Sequence, residues 1–139
     1  MPDLPYNRPE GRRRYLSISK HQQHAKNGYA KWKSVPIERS VFDTGDYGNF
    51  QLQEGMLAWL DDNQNMWGFL KDHPEVGVDK EQFGFFQNPN NAQLEWHGFP
   101  IIPFSQKRYE IPDHLLTRWV QQGCIAAEDI PAIKNKKRI

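Results

Sequence analysis

Five tryptophans and eight phenylalanines must make most of the interior of this chain. Leu, Ile, Val and Phe together are about 22% of its 139 residues, close to the ~20% below which chains stay disordered. Each buried ring removes roughly 150–250 Å² from water, so a core is attainable only if the rings cluster. The predicted centre is Trp59, Trp67, Phe83, Phe86, Trp96, Leu116 and Trp119. The length suits one domain. No run of about 18 apolar residues occurs, so no membrane partner is expected.

The net charge of +1 hides a segregation by sign. Residues 1–40 carry +6, residues 41–99 carry −8 and residues 100–139 carry +3. Either the basic ends fold over the acidic middle, or the signs form separate faces that steer different partners. Cys124 is the only cysteine, which excludes an intramolecular disulfide. Met1-Pro2-Asp3-Leu4-Pro5-Tyr6 lacks the apolar stretch of a signal peptide, so a cytoplasmic location is expected.

Residues 1–14, with three prolines and Arg12-Arg13-Arg14, read as a mobile basic arm ahead of a single globular domain over 15–139. Tyr15-Leu16-Ser17-Ile18 alternates as a short strand does. Residues 19–33 suggest a short helix broken near Asn27-Gly28. Asp43-Thr44-Gly45-Asp46-Tyr47-Gly48-Asn49 has turn chemistry throughout. Over 50–72 two readings compete. Leu57/Leu60 and Met66/Leu70 fit two short helices, the preferred reading. Alternatively, Asp61-Asp62-Asn63-Gln64-Asn65 is a hairpin loop between paired Trp59 and Trp67. Asp79 and Gln82 match a capping box leading into Phe83, Phe85 and Phe86. Asn88-Pro89-Asn90-Asn91 reads as a tight loop, and Pro100 and Pro103 make 94–104 extended. Ile111-Pro112-Asp113 opens a helix with the stripe Leu115, Leu116, Trp119 and Val120, and Gly123 stops it. A second short helix has Glu128 and Asp129 at its start and Lys134, Lys136 and Lys137 at its end, the signs the macrodipole favours. The expected class is α+β: about four short helices around a small antiparallel sheet.

Three constellations bear on chemistry. Val41-Phe42-Asp43-Thr44-Gly45 resembles the active-site loop of retroviral-type aspartic proteases, which implies a homodimeric hydrolase with Asp43 as half of a proton-sharing pair. Asp46 stands where that family has Ala, and Ile101-Ile102-Pro103 has Pro where it has Gly, so no membership is assigned and a hydrolase ranks last. His21 and His24 have a spacing that can hold a metal, but no second pair joins them, and neither metal nor other cofactor is expected. Glu95-Trp96-His97-Gly98-Phe99 places a carboxylate beside an imidazole between aromatics, so Glu95, Trp96, His97 and Phe99 are the predicted ligand- or partner-binding residues. The helix–Gly–helix outline of 112–137 resembles a helix-turn-helix. Trp119 stands where that motif needs a small residue, and Glu128 and Asp129 would repel phosphates.

No catalytic residue is assigned. The favoured reading is a non-enzymatic adaptor, inhibitor or immunity-type module whose partner is another protein, because Trp, Tyr and Arg are the usual hot-spot residues. The alternative is nucleic-acid binding through Arg12, Arg13, Arg14, Lys136, Lys137 and Arg138.

Overall fold

Ser34 opens the longest helix of the protein. In the computed structural model, which describes residues 3–25, 28–91 and 93–139, its hydroxyl accepts the Ile37 N–H at 3.2 Å and starts α1 (Val35–Tyr47). Pro36 occupies the first turn, where its missing N–H costs nothing. Gly48 ends the helix at φ 70. The predicted turn over 43–49 is therefore mostly helix, and the protease-like Asp43-Thr44-Gly45 lies inside it. A helical backbone cannot present the exposed loop that an aspartic dyad needs.

Downstream, β3 (Met66–Gly68), β4 (Phe83–Gln87) and β5 (His97–Ile101) form one antiparallel sheet in the order β3-β4-β5. The 50–72 ambiguity resolves as the hairpin reading, against the preferred helices. The Trp67 N–H donates to the Trp59 carbonyl at 2.9 Å, and Leu60 bridges Met66. Asp61 decides this locally. Its Oδ1 accepts the Asn63 and Asn65 N–H groups at 2.9 and 3.0 Å, and its Oδ2 accepts the Trp67 indole N–H at 3.1 Å. The helix expected after Asp79 is likewise replaced by β4.

Side chains alternate across this sheet. Trp67, Phe83, Phe85 and Phe99 face one side, where α2 (Asp113–Gln121) and α3 (Asp129–Lys134) contribute Leu115, Leu116, Trp119 and Ile133. Met66 and Phe86 face the other, with Tyr15, Trp32, Val41, Phe42 and Trp96. The aromatic core is thus two cores sharing one sheet. All seven predicted centre residues are buried, five in the first and Phe86 and Trp96 in the second. On the second side α1 lies against β3 with almost no gap. A Cβ on Gly45 would sit 2.4 Å from the Trp67 carbonyl oxygen, and one on Gly68 would sit 2.2 Å from that of Val41.

The N-terminal segment is held against the domain. β1 (Leu4–Tyr6) pairs antiparallel with β2 (Tyr15–Ser17), and β2 is fastened beside the start of β5: Leu16 N–H reaches the Trp96 carbonyl at 2.9 Å, and Trp96 N–H reaches that of Arg14 at 2.8 Å. The described part of the arm expected to be mobile, residues 3–14, is packed in place by these bonds and by the ion pairs described below. The predicted strand at 15–18 is present as β2. Among the described residues of 19–33 one 3-10 turn, Ser19–His21, stands in place of the expected helix, and Asn27, where its break was placed, lies outside the described residues. Helix α2, the Gly123 stop at φ 74 and α3 stand where they were predicted, whereas the run expected to be extended over 94–104 is strand only at His97–Ile101 and turns at Phe104, φ 66.

Candidate functional site

The three arginines nearest the start of the chain converge on one face of α1. Asp43 and Asp46, three residues apart on the helix, project side by side. Arg8 donates to Asp43 Oδ1 from Nε at 3.0 Å and from Nη2 at 2.6 Å, and its Nη1 lies 2.7 Å from Asp46. Asp46 also receives Arg12 Nε at 3.1 Å and Arg13 Nη1 at 2.6 Å. The Tyr6 hydroxyl donates to Asp43 Oδ2 at 2.6 Å; burial and the adjacent carboxylate push its pKa up to about 12. The Arg12 guanidinium covers the Tyr47 ring at 3.8 Å, and that of Arg8 covers Phe42 at 4.8 Å. Farther along, Arg14 pairs with Glu95, and both Lys33 and Arg138 approach Glu75. The basic N-terminal segment folds over the acidic middle, and of the described C-terminal lysines and arginines only Arg138 pairs with one of its carboxylates.

Glu95, Trp96, His97 and Phe99 do not form one site. Trp96 turns into the second core, while Phe99 turns the opposite way against Phe85, Tyr109 and His21. His97 is half-buried, and burial and nearby Lys20 lower its pKa. His21 is buried, with Nδ1 2.6 Å from the Ala30 carbonyl, and burial lowers its pKa too. His24 is exposed, and among the described residues no cluster of three His, Cys, Asp or Glu could hold a metal. A depression of about 860 Å³ is lined by opposed charges such as Asp62, Lys107, Arg108 and Asp113.

One buried carboxyl stands apart from the arginines. Glu38 is fully buried on α1; it accepts the Tyr15 hydroxyl at 2.5 Å and the Gln22 amide at 3.0 Å. Burial raises its pKa above the ordinary 4.5. Because the folded state holds this proton more tightly than the unfolded chain, the stabilisation is complete below pH 4.5 and is lost as pH rises through the folded value. Urea midpoints of wild type and Glu38→Gln should therefore diverge in favour of wild type as pH falls from neutral toward 4.5. A difference independent of pH would refute this.

The feature that sequence reasoning missed is the connection from α1 to the hairpin. Residues 51–57 are all exposed, including Leu52, Met56 and Leu57 at 43%, 47% and 79%. The two ends of this loop are nonetheless anchored. The Asn49 amide donates to the Tyr47 and Gln53 carbonyls and its Oδ1 accepts the Gln53 N–H, all within 3.0 Å. Arg118 of α2 donates to the Leu57 and Ala58 carbonyls, and Gln122 donates to that of Gly48 at 2.7 Å. Leu52 is held at φ 54, a left-handed conformation rare for a bulky residue. A pocket of about 330 Å³ beside the loop is lined by Phe50, Met56, Lys71 and Cys124 among others. The helical reading paired Leu57 with Leu60 on one face, which hid the exposure of Leu57.

The architecture defines a small α+β protein with no helix long and apolar enough to cross a membrane among the described residues. No protein-family model, curated protein or solved structure matches the chain.

Proposed function

We propose that this protein is a non-enzymatic binding module that docks another protein through the loop at 51–57. The observation supporting this is that Leu52, Met56 and Leu57 are held out to solvent on a loop whose ends are hydrogen-bonded. Leaving apolar side chains exposed on a loop anchored at both ends, one of them in a strained conformation, gains the free protein nothing. A partner that covers them recovers roughly 25 cal/mol per Å² buried with less of the loop left to order. Nucleic-acid binding loses ground on the same page of chemistry: Arg12 and Arg13 already neutralise Asp46, so the N-terminal half of the basic surface is spent internally.

The test is affinity capture from source-cell extract with and without nuclease, comparing wild type with Leu57→Glu. Leu57 buries little, so the variant should melt within about a degree of wild type, while partner retention falls at least tenfold, the scale of a hot-spot loss. A partner retained equally by both proteins, or released by nuclease, contradicts the proposal. So does a folded Trp96→Ala or His97→Ala variant that loses a measured enzymatic activity.

A further inference from the structure

A second surface, sharing no residue with the loop, lies where the turn at 77–80 meets the end of α3. Phe83, Ile102 and Pro103 line a groove of about 160 Å³, and Lys80, Lys136 and Lys137 surround it. The turn is closed by Lys80 N–H to the Gly77 carbonyl at 3.1 Å. The Gln82 side chain, which also lines the groove, clamps Ile139, donating to its main-chain oxygen at 3.1 Å and accepting its N–H at 3.0 Å. The basic tail is thereby fixed along the groove.

Two features set these lysines apart. Their ammonium groups have no ion-pair partner among the described residues, in contrast to the arginines of the N-terminal arm. Asp79 is the one carboxylate lining the groove, and neighbouring Arg138 is engaged with Glu75 at 3.7 Å. Second, Lys80 and Lys136 both adopt left-handed backbone conformations, at φ 71 and 63. Lys136 occupies the position after α3 that glycine fills in most such endings. The motif is complete there, with Lys136 N–H to the Ile133 carbonyl at 3.0 Å and Lys137 N–H to that of Ala132 at 2.8 Å. A lysine in that place costs backbone energy that glycine would not.

We infer that this groove binds an acidic peptide segment of a partner protein, with one apolar side chain seated over Ile102 and Pro103 and flanking carboxylates on Lys80, Lys136 and Lys137. The volume is below the roughly 300–1,000 Å³ of small-molecule pockets, so it admits a single side chain rather than a whole ligand. Single-stranded nucleic acid would need exposed rings for stacking, and the one aromatic here, Phe83, is 2% exposed. Ile102, at 41% exposure, supplies an aliphatic contact instead.

Fluorescein-labelled peptides of the form Asp-Glu-Asp-X-Asp-Glu-Asp, with X as Leu, Ile, Met, Phe or Ser, test this by anisotropy in low salt. At least one apolar X should bind tenfold or more tighter than Ser, and the complex should weaken as salt is added. The double variant Lys136→Glu/Lys137→Glu should bind at least tenfold more weakly. Lys136→Gly separates use from folding: it should melt a few degrees above wild type and yet bind less. Equal binding of all X, no effect of the charge reversal, or a Lys136→Gly protein that binds as wild type would overturn the inference. Displacement of the best peptide by oligo(dT), or by phosphatidylserine vesicles, at lower concentration than by unlabelled peptide would also overturn it.

Discussion

Asp46→Ala should lower the unfolding free energy by about 3 kcal/mol or more, the usual cost of removing one partner from a buried ion pair. The Asp46 side chain is fully buried and that of Arg8 is 3% exposed, so the guanidinium left behind cannot reach water without opening the arm. The loss should not approach the upper end of about 5 kcal/mol, because Arg8 keeps Asp43, and Arg12 and Arg13 are already partly solvated. Asp46→Asn keeps an acceptor but no charge and should fall between wild type and alanine. Glu54 provides the contrast: it touches Arg12 at 3.1 Å with a side chain 74% exposed, so Glu54→Ala should cost no more than about 0.5 kcal/mol. Urea midpoints measure all three. Faster tryptic cleavage after Arg12 and Arg13 in the alanine variant would locate the opening in the arm. An Asp46→Ala protein as stable as Glu54→Ala would mean that the cluster contributes nothing.

Gly45→Ala should also cost about 3 kcal/mol or more, although alanine is favoured over glycine in a helix interior by about 1 kcal/mol. The reason is the neighbour. The added methyl would lie 2.4 Å from a backbone oxygen of β3 and 3.0 Å from the Met66 side chain. Methionine can move; the Trp67 carbonyl is anchored in the sheet, so α1 itself must lift. Lifting α1 also disturbs the Trp59 N–H, which donates to the Gly45 carbonyl at 2.9 Å. Ser40→Ala, on the exposed side of the same helix, isolates propensity from packing and should be neutral or slightly stabilising. Equal melting temperatures for Gly45→Ala and Ser40→Ala would show that the helix and sheet are not in contact as described.

The elements readable from sequence are those whose signals are local. Pro112, Asp113, the stripe from Leu115 to Val120 and Gly123 sit within a dozen residues, and α2 follows them. Helix α1 had equally local ends in Ser34, Pro36 and Gly48, but its buried face reads Glu38, Gly45 and Asp46 among Val41 and Phe42. Those polar residues are buried because Tyr15, Gln22, Arg8 and Arg13 satisfy them from upstream segments, and no periodicity within the helix reveals that. Strand β4 was hidden differently. With Phe83 and Phe85 covered on one side and Phe86 on the other, no polar alternation marks it as a strand. Core membership survived both errors, since a large ring is buried whichever element carries it. The predicted binding residues did not survive as a group, because successive side chains of a strand leave in opposite directions.

The fastening of β2 beside Trp96 also governs the order of events during synthesis. Arg14 and Glu95 stand 81 residues apart, and the backbone bonds next to them join the first and last parts of the sheet region. Such contacts of high sequence separation form late, after nearer pairings have lowered the entropy of closing so long a loop. Arg8, Arg12 and Arg13 can therefore meet Asp43 and Asp46 once α1 has been made, whereas Arg14 stays uncompensated until Glu95 has been synthesised. Docking of β2 beside β5 thus follows the closing of the arginine cluster.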